Sequence, residues 1–188
     1  KNASVLINIS AATVRGADEL NVTGDSAGIQ LAADGTFDAT AAAWRFSDGA
    51  TLAQIDNDRH ATLALARLDV TAARLTVTTN LTVDANVFIS GSQISGTDES
   101  SSLTLTSTTF VNSSQLSRLE VSVASAANAT LVSAKLVLGA TLRNLGRLNV
   151  LSEGGSIDAD ARGAANASTS KIVNAGTLKC SGDGSVLI

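Results

Sequence analysis

Leu68-Asp69-Val70, Leu75-Thr76-Val77, Leu81-Thr82-Val83 and Val87-Phe88-Ile89 follow one another within 22 residues, each an apolar residue, a spacer and a second apolar residue. Alternation at period two marks a strand that buries one face. The same triplet occurs earlier as Val5-Leu6-Ile7, Leu20-Asn21-Val22, Ile29-Gln30-Leu31 and Trp44-Arg45-Phe46. It returns later as Leu103-Thr104-Leu105, Leu119-Glu120-Val121, Leu136-Val137-Leu138, Leu148-Asn149-Val150 and Val186-Leu187-Ile188. Strands this short cannot each close a core, so they must stack on one another. With weaker members included, about 24 strands emerge, which in groups of three make about eight coils of roughly 23 residues. The expected fold is all-β: a β-solenoid of about eight coils of three short strands.

Local registers agree. Leu20, Trp44 and Leu68 are spaced 24 residues apart, and Asn144-Leu145-Gly146-Arg147-Leu148 is echoed by Asn174-Ala175-Gly176-Thr177-Leu178 at an offset of 30. Gly24-Asp25, Asp34-Gly35, Asp48-Gly49 and Gly91 supply residues that tolerate the left-handed backbone of tight turns. The Ala-rich runs at 39–43 and 124–129 lack a 3.6-residue apolar stripe and are expected as loops or small-residue rungs. No shift of composition divides the chain, so residues 1–188 are expected to be a single solenoid domain. Because the chain starts at Lys1 and enters and leaves as open rungs, it is expected to be an excerpt of a longer chain or a fibre subunit.

Hydrophobic residues make up 44% of the chain but aromatics only 3%, so Leu, Val, Ile and Ala must fill a narrow interior. Proline is absent, which suits a chain in which nearly every segment donates to a ladder. A net charge of −4, no basic run and few aromatics argue against nucleic acid as a partner. No apolar stretch approaches the roughly 20 residues needed to span a bilayer. One cysteine, Cys180, excludes an internal disulfide, and alternation turns it inward beside Leu178, where it is expected as a buried small hydrophobe and not a reactive thiol.

Asn-x-Ser/Thr occurs at Asn2, Asn8, Asn21, Asn80, Asn112, Asn128 and Asn166, seven of the twelve asparagines. That excess makes these the candidate N-glycosylation sites and points to an extracellular or cell-surface, secreted location. In Leu20-Asn21-Val22 the asparagine faces solvent, whereas Asn112 and Asn128 are expected in turns. The Ser- and Thr-rich stretch from Ser95 to Thr109 is expected to be an O-glycosylated or simply exposed patch, and a loop-rich face around Thr97 to Ser107 is where a binding module would take its partner.

The Asn-x-Gly-x-Leu-x-apolar rungs and Gly-rich corners resemble the right-handed parallel β-helix, or pectin-lyase-like, repeat proteins of the cell surface. Phe110-Val111-Asn112 and Gly154-Gly155-Ser156-Ile157 are also similar to parts of polymorphic outer-membrane protein repeats, although here Asn follows Phe by two residues instead of three. A β-sandwich is the alternative fold, disfavoured by the absence of proline and of Asn-Gly hairpin turns.

Chemistry is sparse. His60 is the sole histidine, beside Asp56 and Asp58, and reads as part of a charged loop. The pairs Asp56/Asp58 and Asp158/Asp160 supply too few oxygens for calcium, and Cys180 has no base near it. No catalytic residue, metal or cofactor is expected, and no enzyme. The expected function is an extracellular structural glycoprotein: a β-helical building block of a surface appendage, fibre or wall layer, self-associating head-to-tail or laterally into a filament. An adhesin or binding module, and more remotely a polysaccharide lyase or hydrolase, are the alternatives. Thr-x-Thr ladders for ice binding would need that pair at one position in successive coils.

Overall fold

The computed structural model describes residues 5–9, 19–31, 35–54, 60–112, 114–132, 135–151, 156–159, 171–181 and 185–187. Within them the chain is a parallel β-solenoid, all-β and without a helix. Three parallel sheets enclose one core. The first stacks β1 (Val5–Ile9), β3 (Ala27–Leu31), β5 (Thr51–Gln54), β7 (Arg74–Val77), β9 (Gln93–Gly96), the starts of β11 (Ser114–Val132) and β12 (Lys135–Asn144), then β14 (Ser156–Ala159) and β17 (Ser185–Leu187). The second takes the first halves of β4 (Gly35–Ser47), β6 (His60–Thr71), β8 (Asn80–Ser90) and β10 (Ser102–Val111). It continues through the middle of β11, the end of β12 and β15 (Lys171–Asn174). The third starts at β2 (Glu19–Thr23), takes the second halves of β4, β6, β8 and β10 and the end of β11, and finishes with β13 (Arg147–Val150) and β16 (Thr177–Cys180).

The number of coils differs slightly from expectation. Among the described residues, the turns opened by β3, β5, β7, β9, β11, β12 and β14 place a strand in all three sheets. Nine strands in the first sheet, about 4.8 Å apart, make a rod of about 38 Å.

The triplets form the spine. In the third sheet Leu20, Trp44, Leu68 and Val87 pile up at one inward position, and Val22, Phe46, Val70, Ile89, Phe110, Leu131 and Val150 at the next. Leu68 is fully buried, which for a leucine contributes about 1.5–3 kcal/mol. The 24-residue spacing is thus one coil. The 30-residue echo is another coil, with Asn144 paired to Asn174 and Leu148 to Leu178.

The corners set the coil shape. Where the third sheet turns into the first, Gly24, Asp48, Ala72, Gly91 and Asn112 follow in-register strand ends and all have φ between +48° and +103°. Next inside lie Ala50, Ala73, Ser92 and Ser114, all buried, and Ser92 Oγ reaches Val70 O at 2.9 Å and Ser90 O at 2.8 Å. Only small side chains fit that edge of the core.

The Ala-rich runs are neither loops nor helices. Each lies within a long strand that bends from the second sheet into the third, with the register break of β4 between Ala39 and Ala43, and a φ of +65° at Ala126. Cys180 is a correction. It stands in register over Val150, as alternation requires, yet it is exposed. It belongs to the last described strand of its sheet, so no further described rung of that sheet covers it.

Candidate functional site

Three outward positions on each of the first four strands of the third sheet alternate with two inward ones. The outward rows join several charged side chains among the described residues. One row runs Asn21, Arg45, Asp69, Phe88, and a parallel row runs Glu19, Ala43, Arg67, Asn86. The Asp69 carboxylate accepts Arg67 Nε at 2.6 Å on Oδ1 and Arg45 Nε at 3.2 Å on Oδ2. Arg45 Nη1 also donates to Glu19 Oε1, which accepts Asn21 Nδ2 at 3.2 Å. Both arginine side chains are about half exposed (47% and 53%) but Asp69 only 12%, so the carboxylate is held from two sides beneath its partners. Ion pairs this exposed stabilise the fold by about 0–1 kcal/mol each. Their larger effect is to fix guanidinium planes in place.

On the other side runs a row of hydroxyls, Thr23, Ser47, Thr71 and Ser90, with Thr23 Oγ1 and Ser47 Oγ 3.1 Å apart. Phe88 breaks the pattern. Alternation gives this outward position to polar residues, and Phe37, Trp44, Phe46 and Phe110 are all buried, whereas Phe88 is only half-buried. A depression of about 200 Å³ opens between these rows, lined by Asn21, Thr23, Arg45, Ser47, Arg67, Asp69, Thr71 and Phe88.

The second sheet carries a separate ion pair. Arg143 Nε and Nη2 fork onto Glu120 Oε1 and Oε2 at 2.7 and 2.9 Å, which holds the Glu120 carboxyl below its usual range. At the 97–101 turn, Ser100 Oγ and N donate to Asp98 Oδ1 at 2.5 and 2.8 Å and depress that carboxyl likewise.

The sequon asparagines are spread over the rod. Asn21 and Asn128 are exposed on the outer face of the third sheet, five strands apart. Asn112 is exposed at the left-handed corner and donates Nδ2 to Ser90 Oγ at 2.8 Å. Asn80 is half-buried at the start of β8 and accepts Ser102 Oγ. Asn128 lies within β11, not in a turn. The backbone of Asn8 is in β1, and Asn2 and Asn166 lie outside the described residues. His60 is exposed on β6, and Asp56, Asp58 and Asp160 lie outside the described residues. The face from Ser95 to Thr109 is mostly strand, β9 and β10, around the turn at 97–101. Among the described residues no three His, Cys, Asp or Glu side chains gather as metal ligands would, and no helix is long and apolar enough to cross a membrane.

Sequence reasoning did not single out Arg45, Arg67, Asp69 or Phe88. The signal was present: the 24-residue register of Leu20, Trp44 and Leu68 also aligns Asn21, Arg45 and Asp69. Comparison with protein families, curated proteins and solved structures finds no match for this chain.

Proposed function

We propose that this chain is an extracellular structural glycoprotein of the cell-surface β-helix kind, a rigid section of an appendage, fibre or wall layer. The observation that carries the reading is the unbroken stacking of like on like through three sheets, which makes a stiff rod of about 38 Å from short local repeats. The exposed sequon residues Asn21, Asn112 and Asn128 support it, because glycans attached there lie outside the core and leave the spine undisturbed. Association end-to-end or side-by-side then builds the filament. The test is electron microscopy of native material with intact-glycopeptide mass spectrometry. Filaments with occupied sequons uphold the proposal, and dispersed monomers with bare asparagines overturn it. A second reading, a binding module, is favoured by the outward Phe88 in its polar depression.

A further inference from the structure

Phe88 is a half-buried aromatic on an outer face, and its depression ends at a sequon: Asn21 and Thr23 are both part of the lining. We propose that this depression seats the glycan carried by Asn21, so that the sugar lies along the rod instead of projecting from it. The inference rests on the glycoprotein reading above.

The geometry sets the direction. Asn21, Arg45, Asp69 and Phe88 are successive members of one row, so Asn21 and Phe88 are about 14 Å apart at three strand spacings. A short oligosaccharide spans that distance. Its first rings lie beside Arg45 and the Thr23–Ser47–Thr71 hydroxyls, which offer donors and acceptors at regular intervals to sugar hydroxyls. A later ring places its C–H face on Phe88. Because Asp69 already pins Arg45 and Arg67, little side-chain order is lost when the sugar settles.

The linkage is compatible with the site. Asn21 Nδ2 bonds to the reducing-end carbon of a polyprenyl-pyrophosphate-linked oligosaccharide, losing one hydrogen as the pyrophosphate carrier leaves. The hydrogen that remains on Nδ2 can still reach Glu19 Oε1, now 3.2 Å away.

Asn128 is the internal control, exposed on the same face but outside the depression. The full chain is produced in a glycosylating secretory host and treated, folded, with an amidase that releases N-glycans, and each site is followed by glycopeptide mass spectrometry. The Asn21 glycan should leave about tenfold more slowly than the Asn128 glycan, the ratio that about 1.4 kcal/mol of packing gives. Phe88→Ser should remove the difference, with an unchanged melting curve showing that the rod is intact. A second measurement does not depend on that variant: sugar ring protons of the Asn21 glycan should be shifted upfield by the Phe88 ring. Equal release at both sites, or unshifted sugar protons, overturns the inference. Asn21 bare while Asn112 and Asn128 are occupied also overturns it and leaves the glycoprotein reading standing. All sequons bare overturns that reading first.

Discussion

Asn144 sits one strand from Asn174 at the same ladder position and donates Nδ2 to Asn174 Oδ1 at 2.7 Å and to Thr177 O at 2.9 Å. It is fully buried. In earlier coils the same inward position holds Phe37, Leu63, Val83, Leu105 and Val123. The core therefore changes from apolar to amide stacking at this rung, and the amide ties the second sheet to the corner leading into β16.

Asn144→Ala should cost about 1 kcal/mol, because the donor lost to Thr177 O and the cavity opened outweigh removal of the buried Asn144 Oδ1, which has no hydrogen-bond partner. Hydrogen exchange is the measurement. Amides of β15 and β16 should open first, while those of β6 and β8 keep wild-type protection, since coils couple chiefly to their neighbours.

Thr108 occupies an inward position between Val87 and Ala129, and its buried Oγ1 has no hydrogen-bond partner. Thr108→Val keeps the shape and removes the orphaned hydroxyl. Chemical denaturation should show a gain of about 1–3 kcal/mol, and a loss would mean the hydroxyl is satisfied in solution.

Ala72 has φ of +48° in the corner where Gly24 and Gly91 adopt the same sign without strain. Ala72→Gly should raise stability by about 1 kcal/mol, strain relief exceeding the added freedom of the unfolded chain. The reverse holds at the opposite corner: a Cβ on Gly146 would strike Ala124 O and Ala127 O, so Gly146→Ala should lower the melting temperature.

Arg143 holds the Glu120 carboxyl below its usual range, so the folded chain takes up that proton less readily than the unfolded chain. The pair's stabilisation is fully present above the ordinary carboxylate range and disappears as pH falls through the depressed folded value. Melting curves of wild type and Glu120→Gln should differ near about pH 7 and converge toward about pH 3. Added salt should narrow the difference, because both side chains are about one-third exposed (33% and 38%).

The spine was legible because period-two alternation and stacking at one coil length leave direct marks in sequence, as Leu20, Trp44 and Leu68 show. The Asn144–Asn174 pairing was legible as the 30-residue echo, although its burial was not, since asparagine alone suggests a turn. The Ala-rich bends were obscured because a strand that turns a corner keeps its ladder bonds while breaking its alternation. Cys180 was misread because inward direction implies burial only when another rung lies above. The depression at Phe88 depends on rows from four coils meeting, which no local window contains.

The edge from the third sheet to the first repeats one left-handed bend from Gly24 through Asn112. The edge from the first sheet to the second is spanned by a single residue, Ala140, within β12, but by five residues, 97–101, between β9 and β10. From Gly24 to Asn112 the rod therefore has one fixed margin, where each coil is indexed against the last, and one permissive margin. Foreign peptides or added ornament belong on the permissive side, where the spine already accepts a fivefold range of connection without losing its count.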